Sequence, residues 1–278
     1  MPARESETTP IPASTPPHEL IDLARYPILD LKAPAAMALA RRCRDQLDRT
    51  GACELPGFLK PEAVALLVRE GDALSSVAYH SVARGTPYLE PPDPRFPADH
   101  PRRILDDTSV GVVAYDQFPS DSPMRRLNEW DGLMDFICLA LGKEKLYRYA
   151  DPFGALNLAV MRDGERLHWH YDMTDFVTSI ALRAADRGGD FEYVPLIRSA
   201  TNENYPRVQR LLLGDGSEVV RVPMHAGTLL LFEGRNSIHR VTLIHGETTR
   251  LVALLAYDTK LGTSSSKLLQ KSRYGRTV

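Results

Sequence analysis

A histidine and an aspartate two positions apart are the first residues in this chain whose types and spacing suggest chemistry. They are His170 and Asp172, in the segment LHWHYDMTDF. On a β-strand, residues i and i+2 point to the same face, so the imidazole and the carboxylate would project side by side. His239, in GRNSIHRVT, can add a second imidazole from another strand. Two histidines and one carboxylate on one side of a metal ion form a facial triad, which leaves coordination sites open.

Arg250 is the candidate for holding an anionic cosubstrate. It follows His239 in RLVALLAY, and a turn at HGETT would bring its strand back beside the His239 strand. A guanidinium can hold a carboxylate through two parallel hydrogen bonds, which a lysine cannot reproduce. The distal carboxylate of 2-oxoglutarate is such a group. The alternative is an ordinary arginine at a strand edge, paired with Glu247.

The predicted secondary structure that positions these residues changes from helices to strands along the chain. Helical spacing of apolar residues predicts helices first, and short apolar runs between turn residues predict strands afterwards. This order favours an α+β fold, with helices packed on one side of an antiparallel barrel or sandwich. The predicted helices are 34–47, 61–74, 123–142 and 204–213. The predicted strands are 52–59, 155–161, 176–182, 190–196, 218–223, 228–232, 239–244 and 250–257.

Two proline-rich segments depart from this pattern. Residues 1–17 are rich in Pro, Ser and Thr and are expected to be disordered, which leaves 18–278 as one domain. Residues 82–107 contain six prolines and are expected to form an irregular loop. Loops of this length are commonly lids or binding loops. A lid over the substrate and a connector without a role remain alternatives.

Composition excludes several classes of function. The 34 Lys+Arg and 36 Asp+Glu residues give a net charge of −2, without the basic excess expected of a nucleic-acid-binding protein. The three cysteines form no CxxC pair, which argues against a disulfide framework and a thiolate zinc site.

We find no apolar signal sequence and no run of membrane-spanning length, so we expect a cytoplasmic protein without a membrane partner. The oligomeric state stays open, and a homodimer is one alternative.

Four segments in order, HYD, GGDFEYVP, GTLLLFEGRNSIHRVT and TTRLVALLAY, resemble the Fe(II)- and 2-oxoglutarate-dependent oxygenase superfamily. WHYDMTDF, FEYVP and GRNSIHRVT are similar to the subgroup that hydroxylates or chlorinates free amino acids. The resemblance implies a double-stranded β-helix, a jelly-roll or cupin-like barrel over 151–258, with a helical part at 18–150 and a tail at 259–278. It assigns the iron ligands, His170, Asp172 and His239, and gives Arg250 to 2-oxoglutarate.

The resemblance also implies the reaction. O₂ and 2-oxoglutarate are consumed, an unactivated C–H bond of a small amino-acid-like substrate is oxidised, and succinate and CO₂ are released. Chlorinating members replace the carboxylate ligand with a small residue, which frees a position for chloride. Because this sequence has Asp172 there, hydroxylation is favoured over chlorination. Desaturation and ring closure stay open, as do a non-catalytic cupin-like metal-binding module and a zinc hydrolase with the same ligands.

Further residues are assigned to the site by their position near the triad. Asn157, on the preceding strand, is predicted to touch the keto acid of 2-oxoglutarate. His168 lies on the same two-residue ladder as His170 and is predicted to line the substrate pocket. The other predicted pocket residues are Trp169, Asp175 and Arg102.

Overall fold

A computed structural model of the chain describes residues 10–278. The predicted disorder at 1–17 therefore falls in part on residues 1–9, outside the described residues. The helices are α1 Pro34–Thr50, α2 Pro61–Leu74, α3 Pro123–Glu129, α4 Asp131–Ala140, α5 Tyr205–Leu212 and α6 Lys267–Tyr274. Within residues 10–278, no helix combines the length and the apolar character needed to cross a bilayer.

The predicted helix 123–142 is divided into α3 and α4 at Trp130, whose backbone is extended. The break leaves carbonyl groups at the end of α3 without helical partners. Arg148 satisfies two of them, because its guanidinium donates to the carbonyls of Asn128 at 2.9 Å and Glu129 at 2.7 Å. An arginine far along the chain therefore stabilises a break that helical spacing alone does not predict.

The strands form two main antiparallel sheets. The large sheet has the order β1-β10-β7-β12-β5-β3-β2, the small sheet has the order β6-β11-β8-β9, and β4 pairs with β13. Each strand predicted from the sequence overlaps an observed one. The bounds are β1 Ala52–Leu55, β2 Tyr79–Gly85, β3 Asp106–Ala114, β4 Tyr147–Arg148, β5 Leu156–Met161, β6 Leu167–His170, β7 Val177–Arg183, β8 Phe191–Val194, β9 Val220–Val222, β10 Leu229–Phe232, β11 Ile238–Val241, β12 Arg250–Leu255 and β13 Tyr257–Asp258.

The large sheet separates the main hydrophobic core from the site. On β5, Leu156, Leu158 and Val160 point into the core that the N-terminal helices cover. Side chains alternate along a strand, so Asn157 and Met161 point to the opposite face. Arg250 pairs with Met161 across β5 and β12, and therefore shares that face. This inner face, turned away from the helical core, carries the polar residues of the site.

The proline-rich segment is the tip of a hairpin that the sequence does not predict. Strands β2 and β3 pair from Tyr79 with Val112 to Gly85 with Asp106, so the irregular part is 86–105 and the predicted limits of 82–107 are too wide. The sequence does not predict strand β2, because it is an exposed edge strand without apolar alternation. Its Val82, for example, is 82% exposed.

Candidate metal centre

The small sheet brings two imidazoles together. His170 is the last residue of β6, His239 lies in β11, and the two are paired in the strand register. Their ring centroids are 4.2 Å apart. The contact follows from the antiparallel pairing, because directly opposed side chains on one face of a sheet are neighbours.

Asp172 reaches the same place from just beyond the end of β6. Its backbone N–H donates to the carbonyl of Gly234 at 3.1 Å, which holds it beside the turn before β11. One ligand atom each from His170, Asp172 and His239 lies within 4.8 Å of the other two. The structure thus brings together the three residues that the spacing predicts as metal ligands.

A hydrogen bond at Nδ1 of each ring orients both imidazoles toward the centre of the three-residue cluster. Nδ1 of His170 lies 2.7 Å from the carbonyl oxygen of His168, and Nδ1 of His239 lies 3.0 Å from that of Ser237. A carbonyl can only accept, so each Nδ1 carries the proton and each Nε2 presents a lone pair. Metal-binding histidines are commonly fixed by this kind of hydrogen bond.

The electrostatics of the cluster fit a divalent cation. Burial lowers the pKa of His170 well below its usual value, and the neighbouring His239 lowers it further, so the imidazole is neutral, as a ligand must be. Oδ2 of Asp172 is buried without a hydrogen-bond partner among residues 10–278, and lies 3.5 Å from Nε2 of His239. A buried carboxylate oxygen without a donor is costly unless a cation binds it.

Gly234 is in close contact with the candidate site, and the sequence alone does not identify it. A Cβ on residue 234 would lie 1.7 Å from Oδ2 of Asp172. Any side chain there would displace the carboxylate from the cluster. The glycine is visible in the sequence as part of FEGRNS, but its contact with Asp172 depends on two segments that are distant along the chain.

Arg250 is buried on the inner face and forms no ion pair among residues 10–278, although the charge of the Asp190 carboxylate acts on it. Its Nε donates to the carbonyl of Gly189 at 2.9 Å, and one terminal nitrogen lies 3.7 Å from Sδ of Met161. Burial lowers the pKa of Arg250 to about 10, which still leaves it protonated at neutral pH. The described residues show no ion pair with Glu247. A buried guanidinium needs a counter-charge, so it is suited to bind an anion.

Two further predicted residues are on the inner side and already have partners. The Asn157 amide donates to the carbonyls of Phe153 and Leu156 and accepts from the Tyr274 hydroxyl at 2.9 Å. His168 is buried, with Nδ1 2.5 Å from Oγ1 of Thr108 and its ring centroid 5.8 Å from that of His170. Of the two, His168 lies near the triad, and the predicted roles of both remain predictions.

The structure does not bring Trp169 and Arg102 to the triad. Trp169 alternates with His170 along β6 and packs in the cluster on the outer face of the small sheet. Arg102 donates to the Tyr205 hydroxyl at 2.7 Å and to Glu90 at 2.6 Å in the same region. Asp175 is exposed beside the triad and pairs with Arg235 at 2.5 Å.

The comparisons with known proteins agree with this arrangement. A family model described as Halogenase D matches residues 144–272, which include the triad and Arg250. No curated protein matches the sequence significantly.

Solved structures with the same fold share little sequence with the chain. The non-heme alpha-ketoglutarate-dependent epimerase SnoN from nogalamycin biosynthesis is 18% identical, with coverage of 80% of this chain and 81% of SnoN and a TM-score of 0.53. HygX from Streptomyces hygroscopicus was solved with nickel, 2-oxoglutarate and hygromycin B bound. It is 15% identical, with coverage of 80% of this chain and 88% of HygX and a TM-score of 0.55.

A third similar structure is a prolyl hydroxylase from Trichoplax adhaerens in complex with a peptide fragment. It is 16% identical, with coverage of 81% of this chain and 90% of the hydroxylase and a TM-score of 0.54. These likenesses, together with the two antiparallel sheets and the N-terminal helices, confirm the predicted α+β jelly-roll fold. The chain has the fold of the 2-oxoglutarate-dependent oxygenases.

Proposed function

We propose that this protein is an Fe(II)- and 2-oxoglutarate-dependent oxygenase that oxidises an unactivated C–H bond of a small polar substrate. The observation that carries the proposal is the convergence of His170, Asp172 and His239, together with a buried Arg250 on the inner face that forms no ion pair among residues 10–278. A structural metal site alone would explain the first part. It would not explain why a guanidinium is buried on the same inner face.

Each residue has a distinct task in this proposal. His170, Asp172 and His239 hold one side of the iron and leave the other side for exchangeable ligands. Arg250 binds the distal carboxylate of 2-oxoglutarate, and so orients the keto-acid end toward the metal. Bound iron, 2-oxoglutarate and O₂ together supply an oxidant for the C–H bond, with one oxygen atom transferred to succinate and CO₂ released.

Hydroxylation is the favoured outcome, although the matching family model carries the name of a halogenase. Asp172 supplies the carboxylate that chlorinating relatives lack, and its Oδ2 is directed at the ligand cluster. With that ligand in place, the position that chloride would need is taken. Gly234 supports this interpretation, because the turn leaves room for the Asp172 carboxylate.

Two alternatives share most of the site. Removal of hydrogen without transfer of hydroxyl would give desaturation or ring closure, and the fold also occurs in SnoN, which is an epimerase. A non-catalytic cupin-like module would keep the metal ligands but would have no use for Arg250. Binding of 2-oxoglutarate separates the module from the enzymes, and product masses separate the enzymes from one another.

A free amino acid or a close derivative is the proposed substrate. The resemblance of WHYDMTDF, FEYVP and GRNSIHRVT to amino-acid oxygenases supports this class. We further propose a cytoplasmic location, and a homodimer remains one alternative for the assembly.

The test has two stages. Adding 2-oxoglutarate to the Fe(II)-loaded protein without oxygen should give a visible charge-transfer band that saturates. With oxygen, a panel of free amino acids should then be screened for succinate release and for products 16 mass units heavier (one added oxygen, about the value expected for hydroxylation). Absence of the band contradicts the oxygenase proposal. Turnover of peptides or lipids alone contradicts the substrate class.

A further inference from the structure

We propose that Gly189 is a positioning residue for Arg250, because it fixes the guanidinium and leaves its two terminal nitrogens for the distal carboxylate of 2-oxoglutarate. The inference rests on the proposed function and adds to it the backbone turn on which recognition of the cosubstrate depends. Gly189 belongs to the segment GGDFEYVP, in which the sequence analysis assigns no residue to the site.

The turn that contains Gly189 is anchored on both sides to the segment that follows β11. Before the glycine, the backbones of Arg187 and His245 donate to each other at 3.1 and 2.9 Å. After it, the N–H of Thr242 donates to the carbonyl of Asp190 at 3.0 Å. Gly189 itself has a φ of +68°, a conformation that favours glycine. The turn is therefore a fixed part of the structure against which a side chain can be placed.

Gly189 packs against Arg250 and also accepts a hydrogen bond from it. Its carbonyl receives the Nε–H of Arg250 at 2.9 Å. A Cβ at this position would lie 3.0 Å from Cδ of Arg250. It would also lie 3.1 Å from Cγ1 of Ile244 and 3.5 Å from Cβ of Ala185. Because the space is filled on three sides, an added methyl group has to displace Arg250 or its neighbours.

The hydrogen bond at Nε decides which part of the guanidinium a ligand can use. An arginine carries one N–H on Nε and the others on its two terminal nitrogens. With Nε–H donated to Gly189, the terminal nitrogens of Arg250 stay available, and the nearest side-chain acceptor of one of them is the weakly accepting sulfur of Met161 at 3.7 Å. Asp190, whose charge acts on Arg250, forms its ion pair with Arg221 at 3.6 Å. A carboxylate would therefore bind end-on, to the edge that the two terminal nitrogens form.

A small displacement of Arg250 should weaken this contact and leave the metal ligands unaffected. Both terminal nitrogens must point at the two carboxylate oxygens, and Cδ carries the whole guanidinium, so a shift of Cδ turns both donors away together. The backbone groups that hold His170, Asp172 and His239 belong to other residues. Loss of the positioning contact should therefore affect the dicarboxylate and spare the iron.

The experiment compares two keto acids that share the metal-binding end. 2-Oxoglutarate has a distal carboxylate, and 2-oxopentanoate has a methyl group in its place. Each is titrated into the Fe(II)-loaded protein without oxygen, and binding is measured by the visible band. The wild type should prefer 2-oxoglutarate by about 100-fold. Gly189→Ala should weaken 2-oxoglutarate by roughly 10-fold, and should leave the affinities for 2-oxopentanoate and for Fe(II) within about 2-fold.

Gly262→Ala is the matched control. Gly262 also has a positive φ, of +80°, but a Cβ there would meet nothing within 4 Å. The substitution therefore imposes backbone strain without a close contact, and it should bind both keto acids like the wild type. In an Arg250→Ala background, Gly189→Ala should cause no further loss of 2-oxoglutarate affinity, because the glycine acts through the arginine.

The wild-type protein gives a second test, which does not depend on the folding of a glycine variant. With Zn(II) in place of Fe(II), the Nε–H signal of Arg250 in a nitrogen-15 spectrum is identified by its absence from Arg250→Lys. This signal should exchange slowly with solvent. It should shift little when 2-oxoglutarate is added, since Gly189 keeps that donor in the bound state.

The outcomes separate this inference from the proposed function. If the wild type does not bind 2-oxoglutarate, the proposed function is wrong and the inference falls with it. If the wild type binds 2-oxoglutarate but Gly189→Ala binds it equally well, or loses both keto acids to the same extent, Gly189 does not position Arg250. Additive losses in the double variant, or a large shift of the Nε–H signal on binding, would also overturn the inference.

Discussion

Arg102 and Arg250 lie on opposite sides of the small sheet, and the sequence predicts the first as a substrate-pocket residue and the second as the residue that binds 2-oxoglutarate. On the outer face, Arg102 donates to Tyr205 and Glu90, and its guanidinium lies 4.6 Å from the centroid of the Tyr88 ring. On the inner face, Arg250 donates to a single carbonyl, that of Gly189, and contacts the sulfur of Met161. Arg102 forms an ion pair with Glu90, whereas Arg250 forms no ion pair among residues 10–278 and is acted on by the Asp190 carboxylate only at longer range.

The difference shows that positive charge alone does not mark a binding site. Arg102 stabilises the packing of the 86–105 segment against α5, because its partners come from both. Arg250 keeps hydrogen-bonding capacity in a buried position, which is useful only if a ligand uses it. The same reasoning applies to Asp172, whose Oδ2 has no hydrogen-bond partner among residues 10–278.

The largest effect is expected from Asp172→Ala, which removes one of the three proposed iron ligands. Iron affinity and turnover should each fall by more than about 100-fold, because loss of a direct ligand should exceed the 10- to 100-fold effect of losing a supporting contact. Iron content after dialysis and succinate release measure the two. Asp45→Ala, at an exposed position on α1, is the control and should retain both.

Arg250→Ala should weaken 2-oxoglutarate binding by about 100-fold, because a bidentate charged contact is lost. Iron affinity should remain unchanged. The measurement is a titration of 2-oxoglutarate and, separately, of Fe(II) for each variant. Equal losses for both ligands would show that Arg250 is a structural residue, and Arg102→Ala in the same assay should bind 2-oxoglutarate like the wild type.

Gly234→Ala tests whether the glycine is needed to keep the Asp172 carboxylate at its position in the cluster. The added Cβ would overlap Oδ2 of Asp172, so the carboxylate must move and iron affinity should fall by roughly 10- to 100-fold. Far-ultraviolet circular dichroism should be unchanged, since the residue is in a turn. Unaltered iron binding would mean that Asp172 is not held at the position described.

The smallest effect on function is expected from Arg102→Ala. It removes two hydrogen bonds and a cation–π contact on the outer face, which should lower the free energy of unfolding by about 1–2 kcal/mol. The KM for substrate should change by less than about 2-fold. Denaturant unfolding and steady-state kinetics measure the two quantities. A large rise in KM with unchanged stability would show that Arg102 does contribute to the substrate pocket.

Much of the fold follows from local sequence patterns. Apolar spacing predicts α1, α2, α5 and the strands β1, β5 and β7–β12, but it does not predict β3, β4, β6 or β13 as separate strands. It does not predict β2, whose side chains are largely exposed, or the break at Trp130, which depends on Arg148 from a distant segment. Elements that depend on long-range partners leave little trace in the local pattern.

The residues of the candidate site also divide into those that the sequence predicts and those that it does not. The spacing of His170, Asp172, His239 and Arg250 resembles that of the oxygenase superfamily, so the sequence alone suggests them as site residues. Gly234 has no such spacing, since its contact with Asp172 joins segments that are far apart in the chain. Trp169 is next to His170 in the sequence, but the alternation of side chains along β6 places it on the other face of that strand.

Anomalous diffraction at the iron edge, from crystals grown without oxygen in Fe(II) and 2-oxoglutarate, tests the central claim most directly. The account predicts one strong iron peak about 2.0–2.2 Å from Nε2 of His170, Nε2 of His239 and a carboxylate oxygen of Asp172. It also predicts a 2-oxoglutarate carboxylate in contact with Arg250. An iron peak elsewhere, or a 2-oxoglutarate molecule away from Arg250, would contradict the account.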